Sequence, residues 1–400
     1  MKKKFLYTLS VFLLLTQGCD NSTSAEDSSA TSSASKTVLV SNASAKQDDE
    51  KEDDSRLPNY SRAIAVNKML GHGINFGNSW ESGIDIAAKG YDAEKVYDYL
   101  DGQWNNSIDT AWFRMVKEAG FQSIRMPVRW NQTALHEPPY TLQAERVEGV
   151  KQHIKIANSL GMPVIINQHH FNELYEEPQK YMPAFYGLWE NIANEFKDFS
   201  NDSLVFEVLN ESRGASDKYL AEMTDSAIKI IRKTNPGRTI MINPGDWGKF
   251  AEMEAFAGIK DSNIIIDGHY YEPYSYSHMW HSSGHNCKSF TPWDPNDQQA
   301  IMQIVSDLQS YVAMAKNLFP GRDGTHIPLN IGEFGANSNC DAAGQDDANR
   351  ALYLKPIVQT AKQLGYSWHI WGLTGVGFDI YNKKTKEWYP EILKVLQDNM

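Results

Sequence analysis

Cysteine is scarce in this chain. There are three in 400 residues, too few for the disulfide framework that holds small exported domains together, and an odd number leaves at least one without a partner. Excess positive charge is also missing. Lys and Arg number 38 against 50 Asp and Glu, for a formal net charge of -12, so no basic field exists to displace phosphate counterions. A nucleic-acid partner is excluded on that ground, and anionic substrates are disfavoured. No Gly-rich phosphate loop follows an early strand, which removes the signature of a dinucleotide-binding open sheet. No unit of 20 to 50 residues recurs. What the chain does have is 41% hydrophobic and 12% aromatic residues, enough for one large buried core.

The N-terminus reads as an export signal. Lys2, Lys3 and Lys4 precede the apolar run Phe5 to Leu15, which is shorter than the ~20 residues of a membrane-spanning helix. Gly18-Cys19 at its end resembles the lipobox of bacterial lipoproteins, although Thr16 and Gln17 stand where that pattern prefers Leu and a small residue. Residues 1–18 are therefore expected to be a signal peptide of lipoprotein type and Cys19 to carry lipid, anchoring a cell-surface or periplasmic protein to a bacterial membrane. Residues 19–57 are rich in Ser, Ala and acid, ending in Asp48, Asp49, Glu50, Glu52, Asp53 and Asp54. Such a segment builds no core and reads as a self-repelling tether. With Cys19 lipidated, Cys287 and Cys340 remain to form a disulfide in an oxidising compartment, the alternative being two separate buried thiols.

From residue 58 onward, short β-rich runs alternate with helical periodicity. The runs are Gly73 to Asn78, Ser123 to Val128, Pro163 to Gln168, Leu204 to Asn210, Thr239 to Asn243, Ile264 to Tyr270, Ile327 to Phe334 and Ser367 to Leu373. Eight strands with crossover helices over residues 58–400 predict a single α/β domain, a closed (β/α)8 TIM barrel. Chemistry in such a barrel gathers at the C-terminal strand ends. Here those positions carry Asn78 and Glu81, Arg125, His169 and His170, Asn210 and Glu211, Asp246 and Trp247, His269 and Tyr271, Glu333, and Trp371.

Glu211 lies at the mouth of strand four and Glu333 at the mouth of strand seven, on facing sides of a small barrel. Glycosidic cleavage needs such a pair, one carboxyl to protonate the leaving oxygen and one carboxylate for the anomeric carbon. His169 and His170 could instead ligate a metal. Barrel metallohydrolases usually show His-x-His on the first strand and an Asp on the last, and neither is present, so no metal or cofactor is expected.

Several motifs run in order along residues 64 to 395. They are Gly73-Ile74-Asn75-Phe76-Gly77-Asn78 with Glu81, Ser123-Ile124-Arg125-Met126-Pro127, Ile165-Ile166-Asn167-Gln168-His169-His170, Phe206-Glu207-Val208-Leu209-Asn210-Glu211, His269-Tyr270-Tyr271 and Ile331-Gly332-Glu333-Phe334-Gly335. The ordered set resembles glycoside hydrolase family 5, the retaining cellulase family. The resemblance implies Glu211 as acid/base and Glu333 as nucleophile, with Asn210 on the sugar 2-hydroxyl. It also implies that Arg125 and Tyr271 orient Glu333, that His269 bonds near Glu211, that His169 lines the -1 subsite and that Trp371 is the stacking floor. Asn78, Glu81 and His170 join the expected substrate-binding set.

The longest connection follows strand six, from Glu272 to about Pro295. A loop at this place in one branch of the family offers a His and a Trp to substrate, matched by His278 and Trp280. Cys340 falls in the loop after strand seven, so a bond to Cys287 would staple two neighbouring loops. Trp80, Trp130, Trp247, Trp280 and Trp293 fall in strand-end loops, where a polysaccharide cleft is lined. Ser79-Trp80 departs from the commoner small residue and Leu of relatives. The expected activity is a monomeric endo-β-1,4-glucanase acting on β-linked polysaccharide or oligosaccharide. A β-mannanase or xyloglucanase on the same machinery, or a surface glycan-binding protein without catalysis, are the other readings.

Overall fold

The structure is a computed structural model and describes residues 54–82, 106–279, 291–338, 346–375 and 377–400. Cys19, Trp280, Cys287 and Cys340, and with them the expected signal peptide, lipidation and disulfide, lie outside the described residues.

Eight short strands follow the eight apolar runs: β1 (His72–Asn75), β2 (Ser123–Met126), β3 (Val164–Asn167), β4 (Leu204–Glu207), β5 (Ile240–Ile242), β6 (Ile264–His269), β7 (Leu329–Glu333) and β8 (Ser367–Ile370). All pair in parallel in chain order, and β8 returns to β1 through His72 opposite Trp368, closing the barrel. Nearly every strand residue is buried, because one face fills the barrel and the other meets the helix ring. That is why these runs read as continuous Ile and Val rather than as alternating patterns. Between β6 and β7 the register shifts at Gly268/His269, which sets His269 opposite Glu333. A bulge of this kind re-aims a side chain.

The outer ring contains α2 (Ala111–Glu118), α3 (Ala144–Ser159), α4 (Asn172–Glu176), α5 (Pro178–Glu195), α6 (Leu220–Arg232), α7 (Tyr274–Ser277), α8 (Gln298–Leu318), α9 (Asp347–Leu364) and α10 (Pro390–Gln397). Asp297 and Asp346 cap α8 and α9 by accepting from the backbone N–H of Ala300 and Asn349, satisfying donors the first helical turn leaves open. After β5 the chain makes only a tight turn at Gly245–Gly248 and a 3-10 segment at Phe250–Phe256.

Helix α1 (Ser61–Leu70) precedes β1 and was not expected from the sequence. Its Ala63, Val66 and Leu70 form one buried cluster with the inward-facing Ile165, Val205, Met241 and Ile265. The helix stops the N-terminal end of the barrel. Just ahead of it, Asp54–Arg56 form a 3-10 turn, and Arg322 donates to the carbonyl of Leu57 at 2.8 Å. The end of the segment assigned to the tether thus reaches the folded body, through the bond of the Leu57 carbonyl to Arg322.

The other half of the interior is polar. Ser123 and Asn330 bond the two ring nitrogens of His369 at 2.9 and 3.1 Å, and Asn330 donates to Asp267 at 2.6 Å. This chain of side chains leads toward the C-terminal mouth of the barrel.

Candidate active site

Arg125 is fully buried on β2 and organises the mouth of the barrel. Its Nε and Nη2 donate to both oxygens of Glu207 at 2.7 and 2.8 Å, a bidentate pair. The remaining donors reach Asn75 Oδ1 at 2.9 Å, Asn210 Oδ1 at 2.6 Å and Glu333 Oε1 at 2.8 Å. A planar guanidinium is the one side chain that can satisfy this many acceptors from a fixed position. Burial works against the Arg125 charge, but the carboxylates of Glu207, Glu333 and Asp267 outweigh it and raise its pKa further.

Glu333 receives a second donor, Tyr271 Oη, on Oε2 at 3.0 Å. Glu211 Oε1 lies 2.9 Å from His269 Nδ1, and the same nitrogen lies 3.6 Å from Glu333 Oε2. One atom from each of Glu211, His269 and Glu333 falls within 4.8 Å of the others. Burial disfavours the charged form of His269, yet Glu333 and the bond to Glu211 prevail and raise its pKa to about 9. These three could chelate a cation by spacing alone. Arg125 on Glu333 already places a fixed positive charge there, which opposes a second one.

Deeper in, Asn167 donates to Glu207 Oε1 at 3.1 Å. Asp267 approaches Arg125 Nε at 3.8 Å, but burial and the Glu207 charge push its pKa up to about 7. Burial, with the charges of His170 and Arg125 nearby, holds His169 well below the ordinary histidine value. Its ring lies parallel to Trp371 with centroids 6.1 Å apart, and it meets His170 edge-on at 4.1 Å.

The strand-end backbone is bent to present these groups. Asn78, His170, Glu211, Asp246 and Trp247 all have φ between 45 and 67°, a left-handed conformation that costs a non-glycine residue about 1–2 kcal/mol. Such residues persist only where the surroundings fix them. For Glu211 the fixing includes Asn243 Oδ1, which accepts its N–H at 2.8 Å.

A family model described as cellulase (glycosyl hydrolase family 5) matches residues 82–377. The chain belongs to glycosyl hydrolase family 5. Endoglucanase H of Acetivibrio thermocellus is 28% identical over 336 residues, covering 82% of this chain and 33% of that protein. Endoglucanase A of Clostridium longisporum is 27% identical, covering 82% and 63%. The chain thus spans a third to under two thirds of these relatives' lengths. Among solved structures, Thermotoga maritima Cel5A superimposes with a TM-score of 0.72 at 28% identity, covering 84% of this chain and 99% of that one. It is described in complex with cellobiose and with mannotriose.

Of the residues the family pattern singled out, Arg125, His169, His170, Asn210, Glu211, His269, Tyr271, Glu333 and Trp371 converge at the mouth. His278 joins them through its ring, 4.6 Å from Tyr271 and stacked on Tyr274 at 4.3 Å. Glu81 does not face the cleft. It is fully buried, and its carboxylate accepts the backbone N–H groups of Asn78 and Ser79. It fixes the loop carrying Asn78, and burial raises its own pKa to about 7.

The tryptophans divide in the same way. Trp80, Trp130 and Trp293 are buried, and Trp80 donates to His153 at 2.9 Å under the Arg146 guanidinium. They are packing residues. Trp247 is 52% exposed and stands at the mouth of β5, its backbone N–H donating to the carbonyl of Ser212, the residue after Glu211. Glu207, Asp267, Asn75 and Tyr175 were missed, although a Glu and an Asp inside otherwise apolar buried strands signal an internal partner.

Proposed function

We propose that this family 5 chain is an endo-β-1,4-glucanase that works by double displacement with retention. The observation that carries the reading is the close approach of the Glu211 and Glu333 carboxyl oxygens from facing strands, within 4.8 Å. A retaining pair stands about 5–5.5 Å apart, whereas an inverting pair leaves about 6.5–9.5 Å for a water.

In this reading Glu333 attacks the anomeric carbon. Arg125 and Tyr271 each occupy one of its oxygens, so the carboxylate is held in one orientation. Glu211 gives its proton to the leaving oxygen, forming the glycosyl-enzyme, and then takes a proton from the water that releases the sugar. Asn210 spends its Oδ1 on Arg125, while its Nδ2 is buried without a protein partner. That leaves a donor for the sugar 2-hydroxyl, a contact that strengthens as the ring gains positive charge. Trp371 and Trp247 offer flat faces to sugar rings on the two sides of the carboxyl pair.

The test is release of reducing ends from carboxymethylcellulose, barley β-glucan, glucomannan and xyloglucan, with product masses. Mid-chain glucan cleavage supports the reading. Negligible glucan activity beside strong mannan activity would replace it with a mannanase, an outcome that the mannotriose complex of the Thermotoga maritima relative makes worth including. Glucan binding without hydrolysis of any polymer would leave a glycan-binding protein.

Export as a lipoprotein through Cys19 belongs to the same proposal and rests on Lys2 to Lys4, the Phe5 to Leu15 run and Gly18-Cys19. Among the described residues, no helix is long and apolar enough to cross a membrane. Loss of fatty-acid labelling in Cys19→Ser, with release of activity to the soluble fraction, is the expected result.

A further inference from the structure

We infer that Arg213 is a positioning residue that locks the proton donor Glu211 to the platform on which the leaving sugar rests. This goes beyond the glucanase reading and rests on it.

Arg213 lies two residues after Glu211, and its guanidinium carbon sits 4.2 Å from the ring centre of Tyr175 and 4.0 Å from that of Trp247. The cation is therefore stacked against two rings. Both terminal nitrogens are used, Nη1 donating to the carbonyl of Glu211 at 3.0 Å and Nη2 to Asn172 Oδ1 at 3.1 Å. Lysine could not reproduce this combination, because stacking needs a planar cation and the two bonds need its fork.

The stack holds the backbone of the acid/base on both sides. Tyr175 Oη donates to the carbonyl of Asn210, Arg213 to that of Glu211, and the Trp247 N–H to that of Ser212 at 3.1 Å. Three successive carbonyls are thereby fixed around a glutamate whose φ of 45° is disfavoured for any residue but glycine. The same guanidinium supports Trp247, itself at a φ of 67° and half exposed.

Because Glu211 protonates the leaving oxygen, the departing sugar lies on the side of β4 and β5, where Trp247 stands. Glu333 and Trp371, on β7 and at the end of β8, serve the sugar that becomes esterified. Arg213 thus acts on the leaving-group half of the site. Its removal should slow bond cleavage only where the leaving group needs a proton and a sugar platform.

The test compares kcat/KM on cellotetraose with kcat/KM on 2,4-dinitrophenyl β-cellobioside, whose leaving phenolate needs neither. For Arg213→Met the expected loss is about 10- to 100-fold on cellotetraose, below the ~10²–10⁴ that complete loss of acid catalysis brings, and less than about 3-fold on the aryl glycoside. Arg213→Lys, which keeps charge and one hydrogen bond, should fall between and serves if the Met variant does not fold. Equal losses on both substrates, or none on cellotetraose, would overturn the inference alone. A wild type that cleaves neither substrate would overturn the glucanase reading and the inference with it.

Discussion

Tyr271 donates to Glu333 on the oxygen opposite the one that Arg125 holds, at 3.0 and 2.8 Å respectively. The carboxylate is thus gripped at both ends by donors of different kinds, one a fixed cation and one a neutral hydroxyl. Tyr271→Phe removes a hydrogen bond to a charged acceptor, ~1.5–3 kcal/mol. A fall in kcat of about 10- to 150-fold, with little change in oligosaccharide affinity, is expected from steady-state kinetics beside calorimetry.

Glu333→Ala should remove hydrolysis by about 10⁴-fold or more, while cellotetraose binding measured by calorimetry persists. Retained turnover in this variant would remove Glu333 from the nucleophile's role.

His269 should make stability fall on the alkaline side. Its folded pKa of about 9 lies above the 6.5 of the free side chain. The stabilisation is therefore complete below 6.5 and lost as pH rises through about 9. Urea unfolding of the wild type should show this loss between those values, and His269→Gln should flatten it.

Asp267 acts on a lower window. Burial, and after it the Glu207 charge, lifts its folded pKa from 3.8 to about 7, so the buried carboxyl prefers its proton. Its contribution to stability is complete below 3.8 and is lost as pH rises through about 7. Asp267→Asn keeps an acceptor for Asn330 and cannot ionise. The gap in thermal midpoint between variant and wild type should move in favour of the variant from pH 4 to about pH 8.

Gly77 and Gly332 leave no room for a side chain. A Cβ at Gly77 would sit 2.5 Å from the Trp371 indole, and one at Gly332 would sit 2.2 Å from Asp267 Oδ1. Gly77→Ala should displace the indole and raise KM, whereas Gly332→Ala should chiefly lower the thermal midpoint, since it crowds a carboxyl beneath the site.

The barrel was legible in the sequence because strands buried on both faces must be apolar throughout, and eight such runs stand out between helical stretches. The two carboxyl groups were legible as a pair because Glu211 directly follows its run and Glu333 stands one residue before the end of its own. What pairs with what inside the barrel was not. Glu207 and Asp267 interrupt apolar runs, but only closure of the sheet brings both to Arg125. Trp80 and Trp293 resemble Trp247 in sequence setting, and burial alone tells them apart. Glu81 sits in a motif near the cleft, yet its oxygens turn back onto the chain. The α1 helix escaped notice because its role as a stopper depends on strands that lie about 100 or more residues away.

That stopper bears on where a catalytic fragment can be cut. The segment matched by the family model begins at residue 82, after α1 and after β1. A fragment with those limits would expose Ile165, Val205, Met241 and Ile265 to water at one end. At the other it would take away Asn75, and with it one acceptor of the Arg125 guanidinium. The workable limit lies ahead of Leu57, whose carbonyl is bonded to Arg322, and at the far end beyond α10.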